Sequence, residues 1–299
     1  LQEMRDRLIH LSRCRGIGRR TIRRMLQHDP TLKQVYYLSS SYISQLYGIP
    51  HKKAKTFYSD LHNSHLMQQI TSEPCTIITI VDENYPNVLK TIKDAPLVLY
   101  ARGNTALLDR MPALSVIGTR NPSPEALPKT ERILGPLINS GWTIISGMAK
   151  GVDSHAHQCT LSGRGKTIAV LGGGFGHIYP KQNISLFQQI SEQGLVLSEY
   201  AASVPPQKHH FPERNRIISG LSFGTLVIEA KERSGTLITV DQALDQGREV
   251  FAVPGSPLIP QTKGNHRMIQ DGAKLVLEAE DIQDEWETAG KYLMQVNRQ

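Results

Sequence analysis

From residue 113 onward, short apolar β-type runs alternate with helical stretches, and two of the junctions carry glycine, a small hydroxyl residue and a cation. They are Val116-Ile117-Gly118-Thr119-Arg120-Asn121-Pro122-Ser123 and Ser146-Gly147-Met148-Ala149-Lys150-Gly151-Val152-Asp153. Strands separated by helical crossovers run parallel, and the crossovers cover both faces of the sheet. The alternation predicts strands at 114–117, 142–146, 167–171, 195–198, 225–228, 249–253 and 274–277, with helices at about 125–139, 154–161, 184–192, 214–219, 237–246 and 265–270. The expected fold is α/β: an extended Rossmann-like, doubly wound, mostly parallel sheet with a small all-α N-terminal domain. Ligands of such sheets sit outside the carboxyl ends of the strands, and a strand-to-helix turn is a natural phosphate holder. Two cationic mouths in one sheet therefore predict a polyanion site.

The 299 residues are about twice the usual domain size of roughly 100–150. Net charge is +7, and residues 1–75 hold 12 Lys+Arg against 5 Asp+Glu while residues 76–299 hold 22 of each. A basic module beside a neutral one points to nucleic acid or another polyanion. The expected division is a helical domain at 1–70, a connecting region at 71–112, the extended Rossmann domain at 113–285 and a tail at 286–299. In the first segment Leu8, Leu11, Ile17, Ile22, Met25 and Leu26 suit a small helical core and leave Arg19, Arg20, Arg23 and Arg24 largely for solvent. Gly16-Ile17-Gly18 has the character of a helix-hairpin-helix turn, in which Gly16, Gly18, Arg19 and Arg20 either grip a phosphate or simply connect two helices.

Arg120 is expected at a strand mouth, placed either for a bidentate phosphate contact or for a salt bridge to a neighbouring loop. Gly118 and Thr119 form its turn. Ser146, Gly147 and Gly151 frame a possible amide nest beside Lys150, with Asp153 or Ser154 as helix cap. Arg214-Asn215-Arg216 is read at a loop-to-helix junction, where Asn215 and Arg216 either add donors to the same mouth or serve as caps and ion pairs. With aromatics at 6 % of the chain, extended base stacking is not expected, and Phe175 and Tyr179 are the candidates. A short helix capped by Asn265 at the sheet edge presents Met268 and Ile269 beside His266, followed by a strand containing Leu275. This surface is either a cap on the domain or a dimer interface.

Other motifs exclude chemistry. Gly172-Gly173-Gly174-Phe175-Gly176-His177 fails the dinucleotide fingerprint because the third glycine position falls on His177. A glycine loop that lets a ligand or a neighbouring segment approach is expected there instead. Gly165-Lys166-Thr167 fails the Walker A pattern, since Thr160 stands where a glycine is needed and a strand follows. His155-Ala156-His157 has i, i+2 spacing, which sends the imidazoles to different helix faces, and no metal site is expected. Cys14, Cys75 and Cys159 are odd in number and lack CxxC spacing, against a disulfide framework or cysteine-rich zinc site and for a reducing compartment. No run approaches the roughly 18 apolar residues of a membrane span, and no signal-type apolar stretch follows the basic N-terminus. A soluble cytoplasmic protein without cofactor, metal or catalytic constellation is expected.

The ordered series Val116–Ser123, Ser146–His155, Ala169–Gly174, Phe211–Ser222, Ser234–Gly247, Val250–Ser256 and Gly264–Ala273 resembles the DprA (Smf) family of DNA-processing proteins. Residues 1–70 resemble the sterile-alpha-motif-like or helix-hairpin-helix module that many members carry. The resemblance implies a homodimeric single-stranded DNA binder that protects incoming DNA and loads the recombinase RecA during natural transformation. It implies DNA contacts for Arg120 and Lys150 and dimerisation through the C-terminal part of the Rossmann domain. Many members add a winged helix; roughly twenty residues after Asp281 are too few for one, so none is expected. The rival reading is a nucleotide phosphoribohydrolase of the same superfamily. Its Pro-Gly-Gly-x-Gly-Thr-x-x-Glu motif is matched here only by Arg233-Ser234-Gly235-Thr236-Leu237-Ile238-Thr239. Thr239 stands at the position of the catalytic Glu and is no general acid or base near neutral pH. A third reading is a scaffold that contacts only proteins.

Overall fold

The computed structural model of the chain describes residues 2–290, so most of the tail expected at 286–299 lies outside the described residues. It divides into two compact units, one of residues up to 85 together with 96–100, the other of residues 86–95 and from 101 onward.

The first unit is built from α1 (Gln2–Arg13), α2 (Arg19–His28), α3 (Ser40–Tyr47), α4 (His51–Leu61) and α5 (Ser64–Thr71), followed by β1 (Thr76–Thr79). Leu8, Leu11, Ile22, Met25, Ile43 and Phe57 close its core; of the positions expected there, Ile17 and Leu26 are only half-buried. Arg20 and Arg24 are exposed and Arg19 and Arg23 half-buried. The turn between α1 and α2 has a structural cause. Gly16 sits at φ +86°, and a Cβ there would overlap the Lys53 carbonyl of α4. The Arg15 guanidinium beside it pairs with the Asp60 carboxylate at 2.7 Å. Gly18 is the residue before α2 and has open space in front of it.

The second unit carries α6 (Asn87–Lys90) and the end of β2 (Val98–Gly103), then β3 (Ala113–Ile117), α7 (Ala126–Asn139), β4 (Thr143–Ser146), α8 (Val152–Ser162), β5 (Lys166–Leu171), α9 (Ile184–Gln193) and β6 (Leu195–Ser198). It continues through α10 (His210–Gly220), β7 (Gly224–Val227), α11 (Gly235–Asp245), β8 (Glu249–Ala252), α12 (Lys263–Gln270), β9 (Lys274–Leu275) and α13 (Glu280–Glu285). Strand order in this unit is β2-β6-β5-β4-β3-β7-β8-β9, and every pairing from β6 to β9 is parallel. The chain winds outward from β3 to β6, then returns past β3 to start β7. Strand order reverses there, the place where doubly wound sheets open a crevice.

The strands from β3 to β7 are buried on both faces, as short apolar runs between helices require. α7 lays Ile133, Leu134 and Leu137 on Leu114, Val116 and Leu226. Two expectations change on the far side of the sheet. α10 begins at His210, so Arg214, Asn215 and Arg216 stand inside the helix and not at its start. Asn265 is the third residue of α12 and is no cap. Its buried amide oxygen accepts from the Ala230 amide at 2.7 Å, and its nitrogen donates to the carbonyls of Val227, Ile228 and Val253. One side chain thus ties together the backbone where β7 and β8 end, adding to the bond that the Val227 carbonyl already accepts from the Val253 amide.

His157 of α8 is fully buried, and its Nδ1 lies 2.6 Å from the Thr167 hydroxyl. That hydroxyl also lies 2.8 Å from the Ile144 carbonyl, so the imidazole and the ends of β4 and β5 share one buried polar cluster. Burial, with the Arg214 charge, pulls the imidazole down to about 3. The unfolded chain takes up this proton near pH 6.5 and the folded chain does not, so stability rises with pH between about 3 and 6.5 and falls on acidification through that window. One such proton weakens folding by about 2 kcal/mol between pH 7 and pH 5. We expect urea unfolding at these two pH values to show a loss that shrinks by that amount in His157→Gln; an equal loss in both proteins would contradict the assignment.

Candidate functional site

The turn after β3 and the turn after β4 are packed backbone to backbone. The Thr119 amide donates to the Glu229 carbonyl at 2.8 Å and its carbonyl accepts from Val152 at 3.3 Å. A Cβ at Gly118 would stand 2.7 Å from the Val152 side chain, and one at Gly151, which lies at φ +87°, would overlap the Thr119 carbonyl. Both glycines are therefore required by the contact between the loops. The Glu229 carboxylate, buried at the end of β7, accepts from the Ser123 hydroxyl and, at 2.9 Å, from the Ser123 amide. This anchors the far end of the Gly118-Thr119-Arg120 turn.

A cavity of about 670 Å³ opens at this point, over the carboxyl ends of β3 and β7. Four cations, Arg120, Lys208, Arg214 and Lys231, line it against one carboxylate, Asp153. Arg120, Lys208 and Lys231 are exposed and have no ion-pair partner among the described residues. Arg214 is buried and donates to the Val170 carbonyl at 2.8 Å. Burial lowers its guanidinium to about 10, with Asp153 opposing that shift, so it stays charged at neutral pH. Burial also raises the Asp153 carboxyl, against the pull of Arg214 and of the amides of Ala149 and Gly147. The cavity thus offers a fixed inner cation and an exposed outer ring of three, a geometry that receives phosphate groups.

The residues expected from the sequence divide into two groups. Gly118, Thr119, Arg120 and Asn215 line the cavity, and Lys150 is exposed on the adjoining loop. Ser146 is buried, donating to the Val116 carbonyl at 2.6 Å, so its hydroxyl faces the sheet and not the mouth. Gly147 is covered by Arg214, since a Cβ there would overlap the guanidinium. Arg216 is buried and paired with Glu199 at 2.7 Å and Asp94 at 3.4 Å, a structural ion pair. Phe175 is buried against Phe187; of the two aromatic candidates, Tyr179 is the accessible one, 55 % exposed and beside Phe211 on the cavity wall. Gly172, Gly173 and Gly174 are explained by the segment 201–206 and Phe211, which close on them.

Lys208 and Lys231 were not visible as site residues in the sequence. Lys208 precedes α10 and Lys231 follows β7, and only the crossing of the sheet brings them to Arg120. In the N-terminal unit Arg20 is exposed and Arg19 half-buried. At the sheet edge Met268 is buried, and His266 is half-buried with its Nε2 2.9 Å from the Gly255 carbonyl. Ile269 is half-buried, and Leu275 and Leu277 are the exposed apolar residues there. His155 and His157 diverge as their spacing predicts, but His155 meets Glu131 and Cys159.

The sequence profile of DNA recombination-mediator protein A matches residues 76–287. The chain is 46 % identical over 208 residues to DNA processing protein DprA of Bacillus subtilis, covering 70 % of each protein. It is 44 % identical over 230 residues to DprA of Streptococcus pneumoniae, covering 77 % of this chain and 80 % of that one. The crystal structure of DprA from Streptococcus pneumoniae superposes with a TM-score of 0.82 at 38 % identity, over 93 % of this chain and 95 % of that one. The structure of DNA processing protein A from Helicobacter pylori, solved to describe its single-stranded DNA binding mode, matches with a TM-score of 0.63 at 29 % identity, over 70 % of this chain and 94 % of that one. With the profile spanning the whole doubly wound sheet, the chain belongs to the DNA recombination-mediator protein A family, whose members are called DprA or Smf.

Proposed function

We propose that the chain is a recombination mediator that binds single-stranded DNA across the mouth of β3 and β7, protects incoming strands and loads RecA onto them during natural transformation. The observation that carries the DNA-binding part is the charge imbalance of the cavity, four cations against one buried carboxylate. Arg120, Lys208 and Lys231 reach phosphate as flexible surface cations, and Lys150 extends the same face. Tyr179 offers a ring for a base. Contacts of this kind position a strand without reading its sequence. The Helicobacter pylori relative binds single-stranded DNA, which supports the same ligand here.

Loading of RecA, the homodimer and the cytoplasmic location follow from family membership as part of this reading. The reducing compartment rests on three cysteines, odd in number and without CxxC spacing, and no described helix is long and apolar enough to cross a membrane. The basic N-terminal unit, residues 1–70 in the proposed division, adds either a second phosphate contact through Gly18 and Arg20 or a protein contact. The phosphoribohydrolase reading gains no support from Thr239, a buried threonine on the cavity wall where that reading needs a carboxylate.

Arg120→Ala and Lys150→Ala should each weaken binding of a labelled single strand. Each should also lower the slope of log affinity against log salt by about 0.7 for every phosphate that is no longer neutralised. Fluorescence anisotropy across a salt series reads both quantities. Folded variants with unchanged affinity and slope would remove this mouth from the DNA path. Arg216→Ala should act on stability, because it leaves the Glu199 carboxylate unpaired in a largely buried setting.

For assembly, Leu275→Asp combined with Leu277→Asp should convert a dimer to a monomer in sedimentation and lower single-strand affinity by removing avidity. A doubly substituted protein that sediments as a dimer would place the interface elsewhere.

A further inference from the structure

On the outer side of α7 and α8, three side chains of different chemistry converge on one point. His155 and Cys159 are four residues apart on α8 and so share a helix face. Cys159 Sγ lies 3.3 Å from His155 Nε2, and Glu131 Oε1 of α7 lies 3.1 Å from that same nitrogen. All three atoms fall within 4.8 Å of one another. A neutral imidazole nitrogen cannot serve both neighbours. As a donor to Glu131 it leaves the thiol only a weak shared contact, and as an acceptor from the thiol it faces the lone pairs of the carboxylate. A cation at the centre removes the conflict, since each atom then donates a lone pair to it.

We propose that Glu131, His155 and Cys159 form a site for a zinc ion, with water as fourth ligand, that staples α7 to α8. The donor set of one sulfur, one imidazole nitrogen and one carboxylate oxygen suits zinc and excludes magnesium and calcium, which take oxygen ligands. Tetrahedral zinc holds such ligand atoms about 3.4–3.6 Å apart, so the two spacings to His155 Nε2 need to open by a few tenths of an ångström, while the sulfur and the carboxylate oxygen already lie within 4.8 Å of each other. Glu131 is exposed and His155 and Cys159 half-buried, which leaves the metal a route in and room for the water.

Burial and the Glu131 charge hold the metal-free thiol up, at about 11. On binding, the Cys159 S–H bond breaks, its proton passes to solvent, and the sulfur–zinc bond forms. Glu131 and His155 bind as carboxylate and neutral imidazole. α7 follows the Arg120 turn and α8 follows the Lys150 turn, so the staple would fix the two helices that carry these loops. The proposal does not depend on the DNA-binding reading.

Cobalt(II) replaces zinc in such sites and reports its ligands in absorption. Titration of the full chain with cobalt should give a near-ultraviolet thiolate-to-cobalt band and intense four-coordinate visible bands, saturating at one ion per chain and erased by added zinc. Cys159→Ser should abolish the thiolate band. Glu131→Gln, a change at an exposed position that leaves the core untouched, should lower cobalt and zinc affinity by at least about tenfold, the lower end of what the loss of even an outer partner costs. Cys14→Ser and Cys75→Ser should retain the band. Absence of a thiolate band in the parent chain, its survival in Cys159→Ser, or unchanged affinity in Glu131→Gln would each overturn the proposal and leave a hydrogen-bonded triad without metal.

Discussion

The mouth of the sheet depends on one buried cation. Arg214 rises from α10 to the end of β5, where its guanidinium donates to the Val170 carbonyl and covers Gly147. A buried charge left without compensation costs several kcal/mol, and Asp153 at the start of α8 supplies the opposite sign. The consequence reaches both turns. Gly147 has to be glycine because Arg214 occupies the space of its side chain, and α8 is held where its first turn meets the Gly118-Thr119-Arg120 loop. Arg214 is thus both a wall of the cavity and the reason the cavity keeps its shape.

Net charge and local field separate in this protein. Residues 76–299 carry equal numbers of acidic and basic side chains, yet the cavity among them is strongly cationic. The balancing carboxylates are engaged elsewhere: Glu199 and Asp94 hold Arg216, Glu285 holds Lys274, and Glu125 pairs with Lys129. At physiological salt, exposed charges act over a Debye length of about 8 Å. A ligand at the mouth therefore responds to Arg120, Lys208 and Lys231 and not to the sum over the domain. The N-terminal unit carries the overall excess, and its basic face acts at longer range only when salt is low.

The glycines illustrate how a correct motif can have a different cause. A glycine at a strand end suggests access of phosphate to the backbone, and Gly118 and Gly151 do stand at the expected mouth. Their lack of a side chain is nevertheless required by the contact between two loops, and Gly16 is required by the Lys53 carbonyl. In the same way Ser146 and Arg216 fall within the right motifs but turn inward to carbonyl and carboxylate partners. A linear pattern identifies which residue types a turn needs, whereas the neighbour that imposes the need comes from another part of the chain.

The sequence by itself determined the class of fold. Short β-type apolar runs between amphipathic stretches place β3 through β8 and their helices to within a few residues, because strand burial and helix periodicity are local properties of side-chain spacing. It also determined that Arg120 and Lys150 stand at strand-to-helix turns. The start of α10, the role of Asn265 and the membership of Lys208, Arg214 and Lys231 in one cavity were decided only by the tertiary structure. The shared cavity depends on the reversal of strand order at β3 and β7, which brings segments about a hundred residues apart to the same edge, and the role of Asn265 depends on the pairing of β7 with β8. The meeting of Glu131 with His155 and Cys159 has the same origin. Helix spacing brings two of them together, but packing of α7 on α8 supplies the third, and contact between distant segments leaves no periodic trace in a single chain.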